Sequence, residues 1–318
     1  MKFQSWPAFQ GGTLAVGSAA LFGVATPLIQ VAGNGVGPLT TAALLYAGAA
    51  SVGAFSTRPA SIEARLNRRD LTAIGMIAFF GAVVGPTCLA WGLQRTSASG
   101  ASLLLTLEAV FTALLAWMIH GETMDRRVKS ALGLLTAGAA LLVLEQGYAA
   151  EGSLWGLLAV LLATAAWGVD NTVSRSVADR DPSQVVMTKS LLGCMATSIL
   201  AFVAGEPSPT ASQAISLLAI GASAFGLSLR AYLLAQRLIG AARTGSIYAF
   251  APLIGVALSV ALGDRTLGWL AALGGALMAI GVVLHLTEQH AHDHFHEPVE
   301  HEHAHQHEDG HHDHDHSP

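Results

Sequence analysis

The sequence predicts an all-α membrane protein: ten transmembrane helices arranged as two inverted five-helix repeats, followed by a disordered C-terminal tail. Three observations carry this. The chain is 52% apolar and only 12% charged, whereas a soluble domain carries about 25% charged residues. Ten apolar stretches of about 20 residues, each long enough for a hydrocarbon core of roughly 30 Å, follow one another through short loops. The second five stretches repeat features of the first at a nearly constant offset.

The stretches lie near residues 11–31, 37–56, 71–92, 97–119, 129–147, 153–175, 184–204, 213–233, 242–262 and 267–286. Each is rich in Ala, Leu and Gly, and small residues let helices approach closely where packing rather than water exclusion holds them together. The second and seventh are the weakest, being short, and Lys189 lies in the seventh. A cleavable signal peptide is not expected, because the first apolar stretch is long, follows a single Lys and is succeeded by further spans. Cys88 and Cys194 both sit in apolar runs and read as small buried hydrophobes.

Basic residues set the orientation. With the N-terminus inside, the inner segments hold twelve: Lys2; Arg58, Arg65, Arg68 and Arg69; Arg126, Arg127 and Lys129; Arg175 and Arg180; Arg237 and Arg243. The outer loops hold two, Arg95 and Arg265. Both termini are therefore expected on the cytoplasmic side of a bacterial inner membrane.

At an offset of 142 residues, Gln94-Arg95 meets Gln236-Arg237, Gly121-Glu122 meets Gly263-Asp264, and Gly133 meets Gly275. At 145, Phe22-Gly23-Val24 meets Trp167-Gly168-Val169. Five spans per half is an odd number, so the second half enters the membrane upside down. Chance similarity between Ala/Gly/Leu helices is the alternative, and the matched loop positions and span counts weigh against it. The expected division is 1–148, 149–287 and a tail of 288–318.

These residues resemble a known family. Phe22-Gly23 and Trp167-Gly168, the stretch from Ser97 to Glu122 ending in Gly-Glu, and the pairs Ala251-Pro252 and Gly263-Asp264 are similar to EamA-type permeases of the drug/metabolite transporter superfamily. Glu108-Ala109 keeps the acid of a family Glu-Pro and loses the proline. The resemblance covers residues 11–286 and implies a substrate path between the halves and transport without ATP hydrolysis. It implies no particular substrate.

Ionisable groups at span depth are expensive and tend to mark a pathway. Glu108, mid-way along the fourth span, is the sharpest candidate for binding a cation or carrying a proton; a protonated structural Glu is the alternative. Trp167, Asp170 and Asn171 in the sixth span and Pro252, a kink beside Gly255, complete the candidate path. Asp170 could instead be ion-paired as a structural lock with Lys189 or Arg230, and both basic chains could snorkel to the interface. His120 and Glu122 form a His-x-Glu at a span end, read mainly as interfacial. Glu145 and His285 are expected to be solvated. Pro27 and Pro86 also interrupt apolar runs.

Twelve of the fourteen histidines lie in the last 29 residues: His290, His292, His294, His296, His301, His303, His305, His307, His311, His312, His314 and His316. Nine acids lie beyond Leu286, and the tail has no Lys or Arg. Imidazole and carboxylate together coordinate divalent transition metals, so the tail is expected to bind Ni²⁺, Co²⁺ or Zn²⁺. With nothing apolar to bury it is expected to be disordered without metal. Capture needs neutral imidazole and should fail below about pH 6.

The leading expectation is a secondary exporter of a divalent transition metal, nickel or cobalt before zinc, whose tail collects or senses the ion. No cofactor is required. The second keeps the permease and moves a small organic metabolite such as an amino acid or metal chelator, which Lys189 and Arg230 favour. The third is a membrane-anchored metal buffer or sensor. The lipid bilayer is the expected partner, a homodimer is allowed, and nothing marks a nucleic-acid site or an enzyme: no nucleotide loop, zinc-protease motif or serine triad occurs.

Overall fold

The computed structural model describes residues 5–56, 64–120, 126–147, 153–177 and 180–286. Every regular element among them is helical: α1 Ser5–Gly23, α2 Ala25–Ala32, α3 Pro38–Ser56, α4 Leu71–Ala78, α5 Gly85–Leu93, α6 Ala98–Leu105, α7 Glu108–His120, α8 Arg126–Gly147, α9 Ser153–Ser174, α10 Pro182–Val203, α11 Ala211–Ile220, α12 Ser228–Ile239, α13 Ala241–Tyr248, α14 Ala251–Ala261 and α15 Trp269–Leu286. Short 3₁₀ turns follow Asn67 and Ser174, and two π-helical turns, Phe79–Val84 and Gly221–Leu227, join α4 to α5 and α11 to α12.

Eight helical stretches among the described residues are long and apolar enough to cross a membrane. They coincide with the first eight spans read from the sequence, and the two weakest of these, at α3 and α10, are unbroken helices. The ninth and tenth are represented by shorter apolar helices, Ala251–Ala261 and Trp269–Leu284. Bulky apolar side chains such as Phe55 and Phe202 face outward with 92% and 87% exposure. An apolar exterior of that kind suits lipid rather than water.

Local chemistry explains the helix ends. Asp181 accepts from Ser183 N–H at 2.9 Å ahead of Pro182, whose missing N–H costs nothing in a first turn. Ser97 caps α6 through Gly100 N–H, and Thr210 forms a reciprocal capping box with Gln213 on α11.

Several spans are interrupted along their length. The first breaks at Val24, the fourth at Thr106-Leu107 and the ninth at Ala249-Phe250. The last two breaks lie 143 residues apart, and the two π turns begin 142 residues apart, so duplication preserved the irregularities as well as the helices. The three prolines mark interruptions, each lying just beyond the distortion. Pro27, Pro86 and Pro252 each sit within the first turn of the helix that restarts after an irregular segment. A proline cannot donate to the residue four before it and clashes with that carbonyl, so the distortion precedes it.

The two halves pack as matched pairs. The fifth spans, α8 and α15, run along each other, as do the second and seventh, α3 and α10; the fourth and ninth meet through α6 and α14. The first span packs on the eighth and the third on the sixth, which are equivalent contacts when the halves are exchanged. The matched pairs are antiparallel. Glu145 at the end of α8 accepts from Leu270 and Ala271 N–H at the start of α15 at 3.1 and 2.8 Å. Glu206, just past α10, accepts from Leu39 and Thr40 N–H at the start of α3 at 3.1 and 2.7 Å. Asp264, just past α14, accepts from Ser99 N–H and Oγ at the start of α6 at 3.1 and 2.6 Å. Glu145 is thus half-buried and engaged rather than solvated. Gly138 and Gly274 show why small residues fill these seams: a Cβ on Gly138 would stand 2.5 Å from the Gly274 carbonyl oxygen.

Candidate functional site

Glu108 begins α7 directly after the break in the fourth span. No Pro or Gly causes that break. Thr106 and Leu107 N–H turn back to Leu103 and Leu104 carbonyls, and Thr106 Oγ1 also donates to the Leu103 carbonyl at 2.7 Å. A threonine bonding backward in this way competes with regular helix. The interruption leaves the Glu108 carboxylate opposite α9, where Asn171 Nδ2 donates to it at 2.5 Å.

The next residue back, Asp170, is buried and ion-paired with Lys189 of α10, the two side chains being 7% and 5% exposed. Ser174 Oγ donates to the other carboxylate oxygen at 3.4 Å. Of the two partners the sequence left open, Lys189 is the one in place, and it does not snorkel. Arg230 instead donates from Nε to Ser183 Oγ at 3.0 Å.

The ion pair lies against Gly81 in the first π turn. A Cβ there would stand 2.8 Å from Lys189 Nζ and closer still to the Asp170 carboxylate, so the pair occupies the space a side chain would need. The Gly81 carbonyl accepts twice, from Trp167 Nε1 at 3.0 Å and from Tyr46 Oη. A π turn shifts the i to i−4 ladder and can free carbonyls for such use. Gly81 thereby joins the second, third and sixth spans, and the Asp170 pair adds the seventh. Phe22 lies across this network, its ring centroid 6.0 Å from Trp167, 5.8 Å from Phe225 and 5.4 Å from Tyr248.

Glu108, Trp167, Asp170 and Asn171 are therefore brought together, while Pro252 lies on α14, where Gly255 packs against Ser102 and the Gly23 carbonyl. The residues missed from sequence are Gly81 and Tyr46, which no sequence signal marked; the structure shows them through the π turn at Phe79–Val84. The tail histidines, His290 to His316, and Glu122 lie outside the described residues, as do the side chains of His120 and His285. Among the described residues no group of three His, Cys, Asp or Glu is placed to hold a metal ion. A separate cavity of about 270 Å³, lined by Ile29, Gln30, Asn34, Thr41 and Gln94, opens among the first three spans away from this cluster.

The EamA-like transporter family matches twice, over residues 10–144 and 154–287. The chain belongs to the EamA-like transporter family. It is a multi-pass membrane transporter and not an enzyme. Its EamA domain is duplicated, with the first copy ending before α9 and the second beginning there. A probable terminal-alkyne amino-acid exporter of Streptantibioticus cattleyicolor is 30% identical over 270 residues, covering 82% of this chain and 88% of its own. An uncharacterized transporter of Methanothermobacter thermautotrophicus is 26% identical over 233 residues, covering 71% of this chain and 68% of its own. One solved crystal structure shares the fold with a TM-score of 0.63 at 21% identity, covering 86% of this chain and 94% of its own.

Proposed function

We propose that this EamA transporter exports a small organic solute of amino-acid type from the cytoplasm in exchange for protons that load on Glu108. The observation that carries the reading is the division of labour between two neighbouring carboxylates. Asp170 is paired directly with Lys189, whereas Glu108 at the helix break has, among the described residues, a hydrogen bond from Asn171 and no ion pair of its own. One carboxylate and one carboxamide suit a proton or an ammonium group. A divalent metal would draw on more nitrogen or oxygen ligands than this. The aromatic wall of Phe22, Trp167 and Tyr248 also fits an organic body better than a bare ion. The amino-acid exporter among the relatives supports the same class. The body would cross a bacterial cytoplasmic membrane ten times as two inverted five-helix halves, with both termini inside.

The test is exchange in proteoliposomes carrying a pH gradient, with a panel of neutral amino acids offered. Gradient-driven uptake is expected, and Glu108→Gln should abolish proton movement while the protein still folds. The second reading, export of nickel, cobalt or zinc, keeps the support of the His-rich tail. Movement of those metals through protein that ignores every amino acid would favour it.

A further inference from the structure

We infer that the Asp170–Lys189 pair is a cargo site for a zwitterion, which enters by opening the pair and replacing it with two new ones. This rests on the exporter reading above and names how that site selects.

Both charges lie inside a membrane protein, each more than nine-tenths buried. Parting them alone would leave two uncompensated charges out of water, which is prohibitive. A cargo that presents an ammonium to Asp170 and a carboxylate to Lys189 leaves neither unpaired. A simple amine would strand Lys189, and a simple acid would strand Asp170. The site therefore rejects each half-molecule for a reason independent of size.

Three features make the pair a seat and not only a strut. It rests on the bare backbone of Gly81, in an irregular turn whose carbonyl is already held by Trp167 and Tyr46. It adjoins Asn171, which bonds Glu108, so cargo here lies next to the proton carboxylate. And it belongs to one half only: the residue equivalent to Asp170 at the offset that aligns Trp167 with Phe22 is Ala25, buried and apolar. A strut inherited through duplication would be expected in both halves.

The experiment uses the full chain in proteoliposomes. The probes are neutral amino acids including propargylglycine, each beside its decarboxylated amine and its deaminated acid. The zwitterions are expected to exchange and the amines and acids to be at least about a hundredfold poorer, because each would strand one partner of a buried ion pair. The double variant Asp170→Asn/Lys189→Met removes both charges together and so keeps the interior balanced. It should fold, shown by an unchanged thermal transition in detergent, and lose amino-acid exchange. If that variant transports as the parent does, the pair is a structural lock and the inference falls. Amines that exchange as fast as amino acids would also overturn it, leaving the exporter reading intact. If no member of the panel moves, the exporter reading fails with it.

Discussion

Glu108 and Gly81 show how single residues set this site, one by what it carries and the other by what it lacks. Glu108 could be picked out of the sequence, because a lone acid in an apolar span is costly and so conspicuous. Gly81 could not, since Gly is common in every span and its importance comes from two partners far away in the chain, Asp170 and Lys189. The choice between Lys189 and Arg230 as the partner of Asp170 was likewise beyond the sequence, because depth along a helix does not tell which face a side chain takes. Gly81→Ala should destabilise the protein by about 1–3 kcal/mol, the usual cost of forcing a methyl into a filled site. Gly75→Ala, where a Cβ would meet nothing within 4 Å, is the control and should be neutral or slightly stabilising. Thermal unfolding of both variants in one detergent checks this; equal transitions would mean that the ion pair yields to a methyl without cost.

At the scale of elements, the carboxylates that cap α3, α6 and α15 turn three helix starts into joints between the halves. An acid suits that place because helix N-termini present free N–H groups and a partial positive charge. Removing one charge by Glu206→Gln should cost about 1–2 kcal/mol, read as a lowered unfolding temperature. Asp264 adds a pH dependence. Its partial burial would raise the carboxyl's proton affinity, but bonds from Ser99 and Thr266 outweigh this and hold it below the usual carboxylate range. Its contribution is therefore complete above the unfolded value of about 3.9 and is lost as pH falls through the lower folded value. Acidification to about pH 3 should lower the unfolding temperature of the parent more than that of Asp264→Asn; parallel decline of the two would remove this role. The helices themselves were legible from apolar length. The breaks beside Pro27, Pro86 and Pro252 were legible too, but the one in the fourth span was not, because Thr106 bends it through a backward bond without any proline or glycine to announce it.

For the whole molecule, the duplication was visible as short matched motifs, and it reappears as antiparallel pairing of equivalent spans and as repeated π turns. What the repeat could not convey is where the halves differ, and the charged network at Asp170, Asn171 and Lys189 is such a difference. The His-rich tail stands outside this plan. The family matches end at residue 287, before its first histidine. Transport and metal binding should then separate. A chain ending at Gln289 is expected to exchange amino acids at the parent rate in proteoliposomes. The parent should bind Ni²⁺ in calorimetry at neutral pH and lose that binding below about pH 6, as imidazoles protonate; the shortened chain should bind none. If Ni²⁺ at the cytoplasmic face alters the parent's exchange rate and not the shortened chain's, the tail regulates the transporter. If shortening stops amino-acid exchange altogether, the body does not suffice, and the tail must be counted as part of the transport path.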